Sequence, residues 1–210
     1  MAISYPVSLP SDLVFNEMRV TPNSAVAMSQ SPFTGSQQTY VYSAEFWVAE
    51  FSITDYLTRE RANSCIGFLL SLNGRQGTFL AGDPLGTTPL GTWAGSPKVS
   101  GAHAIGVKTI AMDGFTAGQT AIVKAGDWFQ TGSGATTHLH QVVKDANSDG
   151  GGLVTLEIWP SIRAALADND TFTTSSPKGI WRLSVNGVPW SLRDGRVSDI
   201  IIPVVEALDV

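Results

Sequence analysis

Thr39-Tyr40-Val41-Tyr42-Ser43-Ala44-Glu45-Phe46-Trp47-Val48-Ala49-Glu50-Phe51-Ser52-Ile53 is the stretch on which the fold turns. Its Tyr, Val, Phe, Trp and Ile residues suit a pleated, half-buried surface, so it reads as a strand. About fifteen residues at about 3.3 Å each reach about 50 Å, where an ordinary strand has roughly five or six residues. Tyr40, Tyr42, Phe46 and Val48 fall on one face, and Val41, Trp47, Phe51 and Ile53 on the other. A strand that is apolar on both faces needs cover on both.

Upstream of this strand, residues 12–20 read as a first strand carrying Leu13, Phe15 and Met18. Thr21-Pro22-Asn23-Ser24 reads as a turn and Ser31-Pro32-Phe33-Thr34-Gly35-Ser36 as a loop. Downstream, Thr54-Asp55 looks like a helix start, with Thr54 or Thr58 capping and Asp55 near the positive end of the dipole. Leu57, Cys65, Phe68, Leu69 and Leu72 make one apolar stripe to about residue 72, and Asn73-Gly74 provides the stop. Residues 77–81 read as a strand, closed by Gly82-Asp83-Pro84.

From residue 85 to 106 the texture is Gly, Pro, Thr and Ser. Short strands are expected at 107–112, 121–123, 127–131, 139–144 and 154–159, with turn signals between them, the spacing of a small β-barrel or sandwich. Residues 180–185, 189–192 and 197–206 read as the last strands, the final one Ile/Val-rich and apolar on both faces. These elements divide into a discontinuous unit, 1–83 with 178–210, and an inserted β module, 84–177. The fold class is mostly β with one long helix.

Hydrophobic residues make up 43 % of the 210-residue chain and charged residues 15 %, against roughly 25 % charged in an average soluble protein. So few charges fit a surface covered by neighbours, because interface centres are depleted of charge. The net charge of −5 argues against a reader that neutralises phosphates. Cys65 is the single cysteine, so no intrachain disulfide framework exists. Residues 1–10 lack a signal-peptide pattern and no apolar run has membrane-spanning length, so folding in a cytoplasm is expected.

Asp145-Ala146-Asn147-Ser148-Asp149-Gly150 matches the start of a calcium loop, but the twelfth position is Leu156 rather than Glu, and Asp, Asn and Gly equally suit a β-turn. His138 and His140 share a strand face, yet no third metal ligand stands at motif spacing. There is no Gly-x-Ser-x-Gly elbow and no phosphate-cradling loop between a strand and a helix. No catalytic residue, metal or cofactor is therefore expected, and the chain reads as a non-enzyme. Of its six Trp residues, Trp93, Trp128 and Trp159 lie in the inserted module, where they offer an alternative reading as a carbohydrate-binding platform.

Several pieces resemble the distal tail, or minor tail, proteins of long non-contractile tailed bacteriophages. They are Ser31-Pro32-Phe33-Thr34-Gly35-Ser36-Gln37-Gln38-Thr39-Tyr40 and Phe68-Leu69-Leu70-Ser71-Leu72-Asn73-Gly74-Arg75-Gln76-Gly77-Thr78-Phe79, followed by Gly82-Asp83-Pro84. In the insert they are Lys124-Ala125-Gly126-Asp127-Trp128 and Ile158-Trp159-Pro160-Ser161-Ile162-Arg163, and Val205-Glu206-Ala207-Leu208 closes the set. The resemblance implies a tail-tube-like domain of two packed β-sheets flanked by one helix. It also implies a homo-oligomeric ring, usually a hexamer, in the virion tail, with the tail-tube protein and the tail-tip hub protein as partners. Such a ring lets DNA pass without holding it. With the net charge, this leads to the expectation of a channel lined by acidic or neutral side chains, with Glu17, Glu45 and Glu50 as candidates.

Overall fold

The computed structural model describes residues 3–13, 15–53, 58–84, 86–193, 196–198 and 200–208. In chain order the elements are β1 (Glu17–Gln30), β2 (Gln37–Ile53), α1 (Arg59–Ser71), β3 (Thr78–Ala81), β4 (Gly95–Val99), β5 (Thr109–Phe115), β6 (Trp128–Thr131), β7 (His138–Val142), β8 (Val154–Trp159), β9 (Phe172–Thr173), β10 (Gly179–Leu183), β11 (Ser191–Arg193), β12 (Arg196–Ser198) and β13 (Ile200–Glu206). They form a five-stranded sheet in the order β1-β2-β13-β10-β3, a six-stranded sheet in the order β4-β5-β8-β7-β6-β9, and the small hairpin β11-β12. The fold is mostly β, with two antiparallel sheets and one α-helix among the described residues.

The long strand forms as the sequence demands, but its partner differs from expectation. β1 does not turn at residues 21–24. It runs through them, with Pro22 opposite Trp47, and pairs with β2 as far as Gln30↔Gln37. Pro22 is tolerated because β1 is an edge strand, where a missing N–H costs no ladder bond. The chain reverses at residues 31–36 instead. There the Ser31 and Gly35 amides donate to the Ser36 and Ser31 carbonyls, and Gly35 takes φ 69°. Leu13 and Phe15 are buried as expected, but ahead of the strand rather than in it.

In β2 the odd positions from Glu45 to Ile53 are buried and the even ones half-buried. α1 covers part of the buried face with Ala62, Cys65, Phe68 and Leu69. Phe51 is fully buried, edge-on to Phe79 and Trp181 at 6.2 and 5.7 Å between ring centres. Burying each such ring stabilises by roughly 2–3 kcal/mol. The expected helix start at Thr54-Asp55, and Leu57 of the stripe, lie outside the described residues. Thr58 occupies the N-cap position without a side-chain capping bond. The helix stops as read, with Asn73 at φ 50° and Gly74 at φ 64°.

All six strands of the second sheet come from the chain between β3 and β10. The paths into and out of it touch at Gly82, where a Cβ would lie 2.0 Å from the Pro177 carbonyl oxygen. β8 alternates buried and exposed side chains, placing Val154, Leu156 and Ile158 inward with Ile110, Met112 and Phe129. The sheet curls towards closure: Val99 donates to the Asp170 carbonyl and accepts from the Asn169 amide, just ahead of the other edge strand, β9. β4 arises within the stretch read as Gly/Pro-rich irregular chain, and residues 121–123 make only the single bridge Val123↔Ala146.

One buried carboxylate ties this sheet to the chain that leads into it. Asp127 accepts the amides of Leu90 (2.6 Å), Gly91 (3.1 Å) and Lys124 (2.9 Å), and the Trp93 indole N–H (2.9 Å). Asp127→Asn presents an amide to these donors and leaves some of them unpaired. The expected loss is about 3 kcal/mol, or roughly 6–12 °C in melting temperature for a chain of this size, read by calorimetry.

Candidate interaction surface

The β1–β2 hairpin outgrows the body that supports it. Residues 37–44 of β2 are all exposed, and burial begins at Glu45. The change coincides with a bulge, where the register moves from Ser24↔Glu45 to Val26↔Val41 and three residues of β2 face one of β1. Bulges bend and twist a ribbon. Beyond it the hairpin is a two-stranded arm with Val26, Met28, Tyr40, Val41 and Tyr42 exposed and Phe33 95 % exposed at the tip. No Asp, Glu, Lys, Arg or His occurs in residues 20–44. Free strand edges are normally protected by charge or by burial, and this one has neither in the isolated chain.

At the arm's root, two buried carboxylates join the sheets. Glu45 pairs with Lys108 and accepts the Ser161 amide at 3.2 Å. Glu206 accepts the Trp47 amide at 3.0 Å, with the Arg163 guanidinium 3.9 Å away. Burial pushes the Glu206 carboxyl above its ordinary range, and the Trp47 amide and Arg163 pull it part of the way back. The Trp47 indole N–H donates to the Leu139 carbonyl at 3.0 Å.

The expected grouping of Trp93, Trp128 and Trp159 is corrected. Trp93 is buried in the six-stranded sheet's own core, near Phe115, Phe129 and Phe172. Trp128 and Trp159 gather instead on Trp47, with ring centres 4.9 and 4.1 Å away and planes at 50° and 76°. Val20 and Pro22 of β1 and Val143 complete an uncharged groove of about 650 Å³ around the three indoles. The sequence carried a signal for this. Trp128 and Trp159 have the strand parity opposite to the inward-facing Phe129 and Ile158, so both look out from the second sheet towards the first.

Of the channel candidates, Glu17 and Glu50 lie on the face of the five-stranded sheet away from α1, and Arg19 is opposite Glu50 at 3.9 Å. Glu45 does not belong with them. It occupies an odd, inward position and is 4 % exposed, so it cannot line a channel.

The calcium-like loop spends its side chains on backbone. Asp145 accepts the Ala125 amide, Asn147 the Ala121 amide, and Asp149 the Gly151 and Leu153 amides, all at 2.7–2.8 Å. These bonds to Asp149 hold its carboxyl below the usual range. His138 and His140 share a buried face as read. His140 donates from Nδ1 to the Pro160 carbonyl (3.0 Å) and accepts at Nε2 from the Thr131 hydroxyl (3.2 Å). No group of three or more His, Cys, Asp or Glu is placed to hold a metal ion among the described residues, and no described helix is long and apolar enough to cross a membrane.

Burial lowers the His140 pKa from 6.5 to about 4, so the ring stays neutral in the folded chain. Below pH 6.5 the unfolded chain takes up a proton that the folded chain refuses until about pH 4. Stability is therefore complete above that window and is lost as pH falls through it, by about 3 kcal/mol in all. Denaturant unfolding from pH 7 to pH 4 is expected to show this loss, and His140→Gln to remove its share of the slope, leaving the share of His138, whose pKa burial also lowers. No family model matches this chain, and no curated protein matches it either.

Proposed function

We propose that this chain is a structural subunit of a phage tail, a distal tail protein of the long non-contractile type. It assembles as a homo-oligomeric ring of six copies between the tail tube and the tail-tip hub. The arm is the observation that carries this reading. Residues 20–44 hold no charge, and beyond the bulge they expose large apolar side chains on both faces. An exposed apolar ribbon of this size is an aggregation site unless a neighbour covers it. In the ring, the five-stranded sheet with α1 forms the annulus, and the six-stranded sheet stands outside as a peripheral module. The chain's work is assembly rather than catalysis, without a cofactor, in a virion tail built in the bacterial cytoplasm.

The sheet face away from α1 suits the channel. Its charged residues on the five strands are Glu17, Glu50, Arg19 and Arg182, so acids and bases balance. Each Arg or Lys gripping a phosphate would add salt-dependent adhesion, multiplied by the symmetry of the ring. Glu50→Lys tips that balance towards the bases. Particles carrying it are expected to release DNA more slowly, with the delay shrinking as salt rises. Unchanged release at low salt counts against this lining.

Cryo-electron microscopy tests the reading as a whole. The expected result is a six-fold ring in concentrated protein, and density for it at the tube–hub junction of particles. A stable monomer at high concentration, together with absence from virions, refutes it. The three-indole groove favours carbohydrate binding as a second reading. Tilts of 50° and 76° leave no flat platform for a sugar ring, which is why assembly comes first. Saturable quenching of Trp fluorescence by oligosaccharides would reverse that order.

A further inference from the structure

We infer that the arm tip of one copy docks in the three-indole groove of the next, with Phe33 as the anchor. The inference rests on the ring reading and supplies its contact. Knob and hole are both present on one chain: Phe33 is 95 % exposed at the tip, and the groove at the arm's root has about 650 Å³ of free volume, ample for a phenyl ring. The two surfaces also match in charge. The arm carries none, and none of the residues lining the groove is charged.

A copy cannot satisfy its own groove. The arm leaves the body beside Val20 and Pro22, which line that groove, and then runs outward from Val26 to Phe33. At about 3.3 Å per residue the tip stands roughly 25 Å from its root. A folded chain of this length is roughly 40 Å across. The tip is thus too far from its own indoles, and it reaches a neighbour's groove only where the two roots lie closer together than the body is wide, as they do towards the inner radius of a ring.

The contact joins two different surfaces, so it is heterologous, and such contacts propagate head to tail until the rotation closes a ring. It also explains why the groove is aromatic: buried aromatic anchors in desolvated pockets carry most of an interface's affinity.

The test uses full-length chains with one new cysteine each, since the native Cys65 is fully buried. Thr34→Cys places a thiol beside the tip and keeps Phe33; Val143→Cys places one in the groove. With a short bis-maleimide, a mixture of the two variants is expected to give a cross-linked 1:1 dimer that neither gives alone. Cross-linking of Thr34→Cys copies to one another would show arm–arm contact, and no gain on mixing would show that tip and groove do not meet; either overturns the inference. In a second arm, Phe33→Asp and Val143→Glu are each expected to weaken self-association by roughly 30-fold or more, the size of a hot-spot loss. Mixed together they are expected to form a 1:1 dimer and nothing larger, because one intact tip and one intact groove remain. If the wild type forms a ring but the mixtures do not pair, the docking falls and the ring stands. If the mixtures pair but the wild type never closes a ring, the ring reading falls and the docking stands.

Discussion

The contact between the Trp47 indole and the six-stranded sheet sets the position of almost everything else. Trp47 lies in the last supported stretch of β2, just short of the bulge at which the arm begins. Its indole N–H is held by Leu139, its amide by Glu206, and its ring by Trp128 and Trp159. Glu45, two residues nearer the tip on the same face, repeats the arrangement with Lys108 and Ser161. Buried ions are a weak source of net stability, because desolvation consumes most of the attraction. Their better-attested use is register. A slip of one residue in β2 would carry Glu45 and Trp47 to the opposite face, leaving Lys108 unpaired and the Leu139 carbonyl without its indole donor. The Glu45 carboxylate and the Trp47 indole therefore fix which residues of β2 face the second sheet, and with that the point from which the arm departs.

Much of the fold could be read from periodicity. Residues 39–53 declared a long strand, residues 154–159 alternated as a half-buried strand should, and the stripe ending at Leu72 marked the helix. The signals that misled were local ones overruled by position in the sheet. Thr21-Pro22-Asn23-Ser24 has turn chemistry, but on an edge strand Pro22 costs no hydrogen bond and the long pairing with β2 dominates. β4 has almost no strand propensity, since Gly95-Ser96-Pro97 opens it, and it exists because β5 offers a partner.

The interaction surface was less legible, for a different reason. Strand parity shows that Trp47 points inward and that Trp128 and Trp159 point out of their own sheet, but not that the two directions converge. Convergence depends on how two sheets, distant in sequence, are docked. Length alone likewise could not show that only the odd positions of the body half of β2 are covered while the arm half is bare on both faces. The expectation that Glu45 lines a channel failed on this point. Counting charges along a strand does not distinguish an acid that faces solvent from one neutralised by Lys108 behind the sheet.

The arm poses an energetic problem that the body alone does not solve. An isolated two-stranded ribbon is marginal in water, because its ladder must offset the ordering of the backbone at roughly 1–2 kcal/mol per residue. The body contributes a template, since the root pairs continue straight from the supported half of the hairpin. That support ends at the bulge, beyond which Val26, Met28, Phe33, Tyr40, Val41 and Tyr42 are each at least half exposed. Charged side chains would have made the arm soluble at little cost, yet none of residues 20–44 is charged. A sequence that leaves out the cheapest protection for a free edge fits a chain whose arm is covered in use. In the proposed ring, assembly would contribute to the arm's order as well as to affinity: the first neighbour to cover it would remove apolar surface from water and hold the ribbon in the form that a tip-in-groove contact requires. On this view the low charge noted at the outset is concentrated where it matters. The chain's charged residues all lie outside residues 20–44, which leaves the arm free of the charges that would oppose burial against a neighbour.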